Sequence, residues 1–287
     1  MKYAFIERNK SELSIGLMSK VLEVSRSGYY DWLSNRDKVT VREQNRQVID
    51  KRVKDAFVSH RGRSGSPRIT EELKAEGDGY NEKTVANSMT RQGLKAKAGK
   101  KFKATTNSKH NLPVADNVLG QNFTANNPNE KWVSDITYLW TEEGWLYLAV
   151  IVDLYSRCVV GWSMSERMTA DLVCDALTMA LWNRQMPKGV IIHSDRGSQY
   201  CSNAYQQLLN KHGLICSMSG KGNCYDNACA ESFFHSLKVE ALHGERFVTR
   251  QAMREEVFEY IEIYYNRKRL HSANGYVSPV GFEQQSA

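Results

Sequence analysis

The sequence predicts an α/β fold: a mixed five-stranded sheet with helices, preceded by a small all-α region. Strand-like runs cluster between residues 132 and 163 with short turns between them. From Thr169 onward, helical periodicity alternates with two short apolar runs, and the first hundred residues show helical patterns. At 287 residues, 41% hydrophobic and 25% charged, the chain is long enough for one large or two to three small units with a real core.

Residues 1–36 place Ile15, Met18, Val21 and Leu22 on one side of a short helix. Ser25-Arg26-Ser27-Gly28 then turns the chain into an aromatic segment, Tyr29 to Leu33. So short a unit buries little by itself. It reads either as a helix-turn-helix fragment or, the favoured reading, as a docking piece that needs a partner.

Residues 39–98 read as three helices. The first spans about Val41 to Ser59, with Val48, Ile49, Val53 and Phe57 as its apolar stripe. Pro67 is placed to begin the second, whose buried face is Ile69, Leu73 and Ala75. Asn81 is a good N-cap for the third. There Val85, Met89 and Leu94 face inward, and Lys83, Thr84, Asn87, Ser88 and Arg91 face outward. This is a helix-turn-helix outline whose last helix carries side chains suited to base edges; a generic three-helix bundle is the alternative.

Residues 99–125 form a basic linker. From Lys83 through Ala115 there is no acidic residue but eight basic ones, among them Lys100, Lys101 and Lys103. Such a run either tracks a phosphate backbone or is a solvated tether. Residues 1–125 carry a net charge of +10 and residues 126–287 a net of −3, within +7 overall. A basic front joined to a slightly acidic rear suits a DNA-binding region attached to a carboxylate–metal enzyme.

The unit 126–287 begins at Asn126-Asn127-Pro128-Asn129. Its first three strands are Trp132–Leu139, Trp145–Val152 and Cys158–Ser163, and their tight connections imply an antiparallel meander. Thr169 caps a helix with a continuous stripe from Leu172 to Leu181. A fourth strand, Val190–Ser194, a helix around Ala204–Lys211 and a fifth strand, Leu214–Met218, come next. The segment after Ser219-Gly220-Lys221-Gly222-Asn223 is helical, and a last helix covers Thr249–Arg269. Trp132, Trp140 and Trp145 are expected in the core rather than as stacking platforms for bases.

Three acids stand out. Asp135 lies in the first strand, Asp195 just past the fourth, and Glu231 comes after Asp195 with 35 residues between. Lys238 lies two helical turns after Glu231, on the same face. Carboxylates from separate elements make chemical sense if they converge on Mg²⁺, a hard cation held by few carboxylates plus substrate phosphate. Two such ions clamp the attacking and leaving oxygens of an in-line phosphoryl transfer. Asp153 and Asp226 read as a turn residue and a helix cap. His193 is either a proton-handling group or, the favoured reading, a packed and hydrogen-bonded histidine.

The wording around these acids is specific. WVSDITYL, HSDRGSQY and DNACAESFFHSLK closely resemble the three catalytic blocks of DDE transposases and retroviral-type integrases. The match is closest to the OrfB products of the insertion-sequence-three (IS-three) family of bacterial transposases, and it runs over most of the chain. Tyr265-Asn266, Arg269, His271 and Pro279 resemble that family's terminal signature, although Asn274 stands where Leu is common.

The resemblance implies an RNase H-like integrase catalytic core, which agrees with the strand and helix order. It makes Asp135, Asp195 and Glu231 both the catalytic residues and the ligands of two Mg²⁺ ions, with Mn²⁺ as a substitute. Lys238 is then expected beside a phosphate, and Arg267, Lys268 and Arg269 either on flanking phosphates or as favourable charges at a helix end. The implied partners are double-stranded DNA, as element terminal inverted repeats and as target, a second copy of the chain on that DNA, and the upstream OrfA product. In the family OrfB is made as a frameshift fusion to OrfA, so this chain is expected to be a catalytic half.

The implied location is the bacterial cytoplasm, at the nucleoid. No apolar run reaches the roughly 18 residues of a membrane helix, and the start lacks a signal peptide's apolar core. Six cysteines without CxxC spacing, none before Cys158, point to reduced thiols and exclude an amino-terminal His-His-Cys-Cys zinc module. Two rival readings are an RNase H-like nuclease without joining activity and a DNA-binding repressor with an inert core. A paired-carboxylate glycosidase leaves the basic front half without a role.

Overall fold

The computed structural model describes residues 1–97, 113–220 and 228–286 of the chain. At its centre is a five-stranded sheet in the order β3-β2-β1-β4-β5. Its strands are β1 (Lys131–Thr141), β2 (Gly144–Asp153), β3 (Val159–Ser165), β4 (Ile191–Ser194) and β5 (Ile215–Met218). β1, β2 and β3 form the antiparallel meander, and β4 and β5 add in parallel.

Strand alternation sends side chains to two faces. One face carries Val133, Leu139, Leu148 and Val150 against Phe233, Phe234 and Leu237 of α9 (Ala228–Leu237) and Val257 of α10 (Arg250–Phe258). The other carries Trp132, Ala149, Ile151 and Ile192 against α7 (Ala170–Asn183) and α8 (Asn203–His212). α7 lies so close to β3 that a Cβ at Gly161 would stand 2.3 Å from the Ala176 carbonyl oxygen. Asp153 ends β2 fully buried, accepting from the Asn129 and Tyr155 backbone N–H groups. Thr169 occupies the N-cap of α7, but its side chain makes no capping hydrogen bond. His193 is buried and bonded to Ser217, as a packed histidine.

Both long carboxy-terminal helices widen into π turns. α9 runs on as Lys238–Leu242 and α10 as Glu259–Tyr265. A π turn holds an extra residue and re-aims the chain beyond it. Here the two turns face each other, and Tyr260 donates from its hydroxyl to the buried Glu240 at 2.8 Å. α11 (Pro279–Ser286) closes the chain.

Ahead of the sheet, α4 (Val41–Ser59), α5 (Ser66–Ala75) and α6 (Glu82–Arg91) enclose Val53, Ala56, Ile69, Leu73, Val85 and Met89. Asn81 caps α6, accepting from the Thr84 N–H. Val48 and Ala75, expected in the apolar faces, are exposed, because helix packing here uses a narrower stripe. Residues 1–36 form three helices, α1 (Lys2–Asn9), α2 (Ile15–Val21) and α3 (Arg26–Asn35), around Ile6, Met18 and Tyr29. α1 is an addition to the two segments expected there, and Val21 points to solvent. No helix among the described residues is long and apolar enough to cross a membrane.

Candidate active site

Parallel pairing brings the two aspartates together. β1 and β4 pair as Lys131 with Ile191, Trp132 with Ile192 and Val133 with His193. Asp135 and Asp195 keep the same offset of 60 and lie just past this paired stretch, close enough that the charge of Asp195 acts on Asp135. Each carboxylate is held by backbone just after it. Asp135 Oδ1 accepts from the Ile136 N–H and Asp195 Oδ1 from the Gly197 N–H, both at 2.8 Å. Position 197 is tight: a Cβ there would lie 3.0 Å from that same Asp195 oxygen.

Glu231 enters from the first turn of α9, exposed, and Lys238 from that helix's end. Burial raises the Asp135 carboxyl well above the usual carboxylate range; the negative charges of Asp195 and Glu231 raise it further, and Lys238 opposes them. Burial also raises Glu231 and lowers Lys238, which Asp135 pulls back up. Beneath the aspartates, Ser134 Oγ and the Tyr200 hydroxyl are 3.0 Å apart. Burial and then Asp135 and Asp195 push the Tyr200 phenol well up. Sequence reasoning misses Ser134 and Tyr200, yet both lie inside the blocks WVSDITYL and HSDRGSQY.

An all-carboxylate donor set without Cys or His suits a hard cation, and the crowding of charge on Asp135 is what such a cation relieves. Among the described residues no three His, Cys, Asp or Glu side chains are gathered closely enough to hold an ion. The aspartate pair is thus assembled, while the triple is not a closed cage.

The expected DNA contacts divide. Lys83 and Asn87 are exposed on α6, and Thr84 is half-buried with its hydroxyl on Asn81. Ser88, expected to face outward, is fully buried and donates to Asp50 at 2.6 Å, and Arg91 is paired with the same Asp50. Lys100, Lys101 and Lys103, like Asp226, lie outside the described residues. Arg267 and Lys268 are exposed just past the π turn that ends at Tyr265. Arg269 is not available to a phosphate: it is buried, with Nε 2.9 Å from Glu240 and a terminal nitrogen 2.9 Å from Ser236. Trp132 is core as expected, but Trp140 is 58% and Trp145 44% exposed, because β1 and β2 outrun the helices that cover them.

The front unit docks on the core through charge. Arg68 of α5 reaches Glu240 at 3.0 Å. Arg63 is sandwiched over the rings of Tyr260 and Tyr264 and bonded to Glu256 and Glu259. Burial pushes the Glu240 carboxyl up, but Arg269, Arg68 and the Tyr260 hydroxyl outweigh it and hold the group below its ordinary value.

Two family descriptions cover these units. Integrase core domain matches residues 125–224 and again 231–287, and HTH-like domain matches residues 43–102. Fold and site therefore define a polynucleotidyl transferase with an integrase-type core behind a helix-turn-helix-like unit. The transposase InsF for insertion sequence IS3A of Escherichia coli (strain K12) is 57% identical over 286 residues, 100% of this chain and 99% of that one. An uncharacterized 31 kDa protein of insertion element IS600 from Shigella sonnei is 45% identical over 93% of this chain and 98% of its own. Among solved structures, the HTLV-2 integrase catalytic core domain in complex with magnesium is 17% identical over 56% of this chain and 99% of that one, with a TM-score of 0.42. The chain belongs to the IS3 family of insertion-sequence transposases.

Proposed function

We propose that this transposase binds the ends of its insertion element, cleaves a DNA strand there and joins the freed 3′-hydroxyl to a second phosphodiester. The observation that carries the reading is that the parallel β1–β4 pairing brings Asp135 and Asp195 to neighbouring strand ends, where the charges of Asp195, Glu231 and Lys238 all act on Asp135. Asp135 and Asp195, with Glu231, would hold Mg²⁺, two ions in the full reaction, with Mn²⁺ as a substitute. The cation supplies Lewis acidity to the attacking and leaving oxygens of an in-line transfer.

The chain's own residues do the rest. The Ile136 and Gly197 N–H groups fix the rotamers of the two aspartates, so the carboxylates are ordered before substrate arrives. Lys238 offers a half-buried cation to the phosphate, where low dielectric strengthens its pull on developing charge. No residue forms a covalent intermediate in this scheme.

Lys83, Thr84 and Asn87 on α6 are the candidates for reading element ends, with Arg91 joining them once released from Asp50. Lys100, Lys101 and Lys103, then Arg267 and Lys268, are candidates for phosphates. Two ends must be joined, which favours a homo-oligomer on double-stranded DNA; the upstream OrfA product is a further partner, and the work is placed at the bacterial nucleoid.

The test is strand transfer with labelled element-end DNA in Mg²⁺, comparing the parent with Glu231→Gln. Joined product from the parent alone is expected, with the variant reduced at least ~100-fold. Equal activity of the variant overturns the assignment of the site. Cleavage without joining replaces the proposal by a nuclease.

A further inference from the structure

Three rings stand in the open at the far end of the β1–β2 hairpin. Tyr138 and Trp140 alternate on one face of β1, and Trp145 is paired directly across from Trp140 on β2. Trp145 meets Trp140 edge-on at 4.8 Å between centroids and Tyr138 at 5.2 Å. Tyr138, like the two tryptophans, is exposed.

This face of the sheet is the opposite one from Asp135, yet the two are connected. Only Lys131, Trp132 and Val133 of β1 pair with β4; beyond them, among the described residues, no strand covers that edge. Across the open edge Lys238 reaches with Nζ 5.4 Å from the Tyr138 ring centroid, while it also acts on Asp135. Along a strand rising about 3.3 Å per residue, Tyr138 lies about 10 Å and Trp140 about 17 Å from Asp135. A nucleic-acid strand whose phosphate sits at the aspartates therefore has rings within a few nucleotides, with a cation between the two stations.

We propose that Tyr138, Trp140 and Trp145 form a stacking platform for unpaired bases of the DNA strand that adjoins the reacting phosphate. The inference rests on the DNA-processing role proposed above. Every base has a π face, and stacking on an aromatic side chain is sequence-tolerant. Lys238 at the edge neutralises the intervening phosphate. A second copy of the chain fits the patch less well: three rings about half exposed offer on the order of 300 Å², against the ~800 Å² per partner of a standard interface.

The test measures binding of the full chain to element-end duplex, to the same duplex with an unpaired single-stranded end, and to a version whose unpaired end is abasic. The parent and the Trp140→Ala/Trp145→Ala double variant are compared. The parent is expected to favour the base-bearing open end, and the double variant to lose about tenfold or more on that DNA alone. A Trp140→Phe/Trp145→Phe variant, which keeps π faces, is expected to retain most of the preference; thermal melting checks that all variants fold.

Equal binding of base-bearing and abasic ends by the parent overturns the platform, as does an unchanged double variant. A double variant that changes only oligomeric state overturns it in favour of a second copy. Failure of the parent to bind any of the three DNAs overturns the proposed function as well, so the two readings fail separately.

Discussion

Asp135 sits where its charge is least favourable. Burial first, then the negative charges of Asp195 and Glu231, raise its carboxyl well above the usual range. The folded state then binds that proton more tightly than the unfolded chain. Stability from this group is therefore present at low pH and lost as pH rises from the ordinary carboxylate value into the raised range. Asp135→Asn removes the cost. The variant is expected to lose strand transfer while its Tm at neutral pH rises by about 2–4 °C. Mg²⁺ is expected to raise the parent's Tm and to leave the variant's nearly unmoved. A variant that melts below the parent would show that the site is not electrostatically crowded.

Other single residues show what residue identity alone conceals. Ser88 and Arg269 carry side chains typical of nucleic-acid contacts, yet each has a buried carboxylate-bonded role, Ser88 with Asp50 and Arg269 with Glu240. Ser88 follows Val85 by three residues and adjoins Met89, so helical phase already turns it inward, where Asp50 of α4 accepts from its hydroxyl.

At the scale of elements, the sheet is legible in the sequence because alternation and turn residues are local signals. The meander, the two parallel additions and the α7 stripe all lie where the pattern places them, within a residue or two at each end. The placement of Asp135 in β1 and of Asp195 just past β4 is legible as well, since the signals around them are local. Local signals do not carry how far β1 and β2 outrun their covering helices, so the pattern alone assigns Trp140 and Trp145 to the core. Nor do they carry the π turns, across which the Tyr260 hydroxyl donates to Glu240.

Gly161 carries a prediction at this scale. Its missing side chain lets α7 rest on β3, and a Cβ there meets the backbone of Ala176 and Ala180 at 2.3 and 2.6 Å. Backbone cannot swing aside as a side chain does, so Gly161→Val is expected to cost about 3 kcal/mol, read from the midpoint of urea unfolding. A midpoint unchanged within error would mean that the helix can lift at no cost.

Across the whole molecule, Glu240 joins three parts: α5 of the front unit through Arg68, the continuation of α10 through Tyr260 and Arg269, and the helix that carries Glu231. Its carboxyl is held below the ordinary value, against burial, by the two guanidiniums and the hydroxyl. The stability it contributes is present above the unfolded value of about 4.3 and lost as pH falls through the lower folded value. Glu240→Gln leaves Arg269 buried beside a neutral group and is expected to cost ~3 kcal/mol at pH 7. The difference from the parent should shrink below pH 4; urea unfolding at pH 7 and pH 3.5 reads both. A difference that is the same at both values would place the stabilising role in shape rather than charge.

The pairing of β1 with β4 has a consequence for how such chains diverge. The offset between paired residues, Lys131 to Ile191, is the same as that between Asp135 and Asp195, so alignment of the acids depends on strand register and not on the length of chain that lies between. A residue gained at the exposed Lys188, between α7 and β4, leaves that register untouched. One residue gained inside β1 ahead of Asp135 has the opposite result, since it turns the acid to the other side of the sheet. Inheritance is thus free to experiment in the turns and held to account, residue by residue, in two short strands.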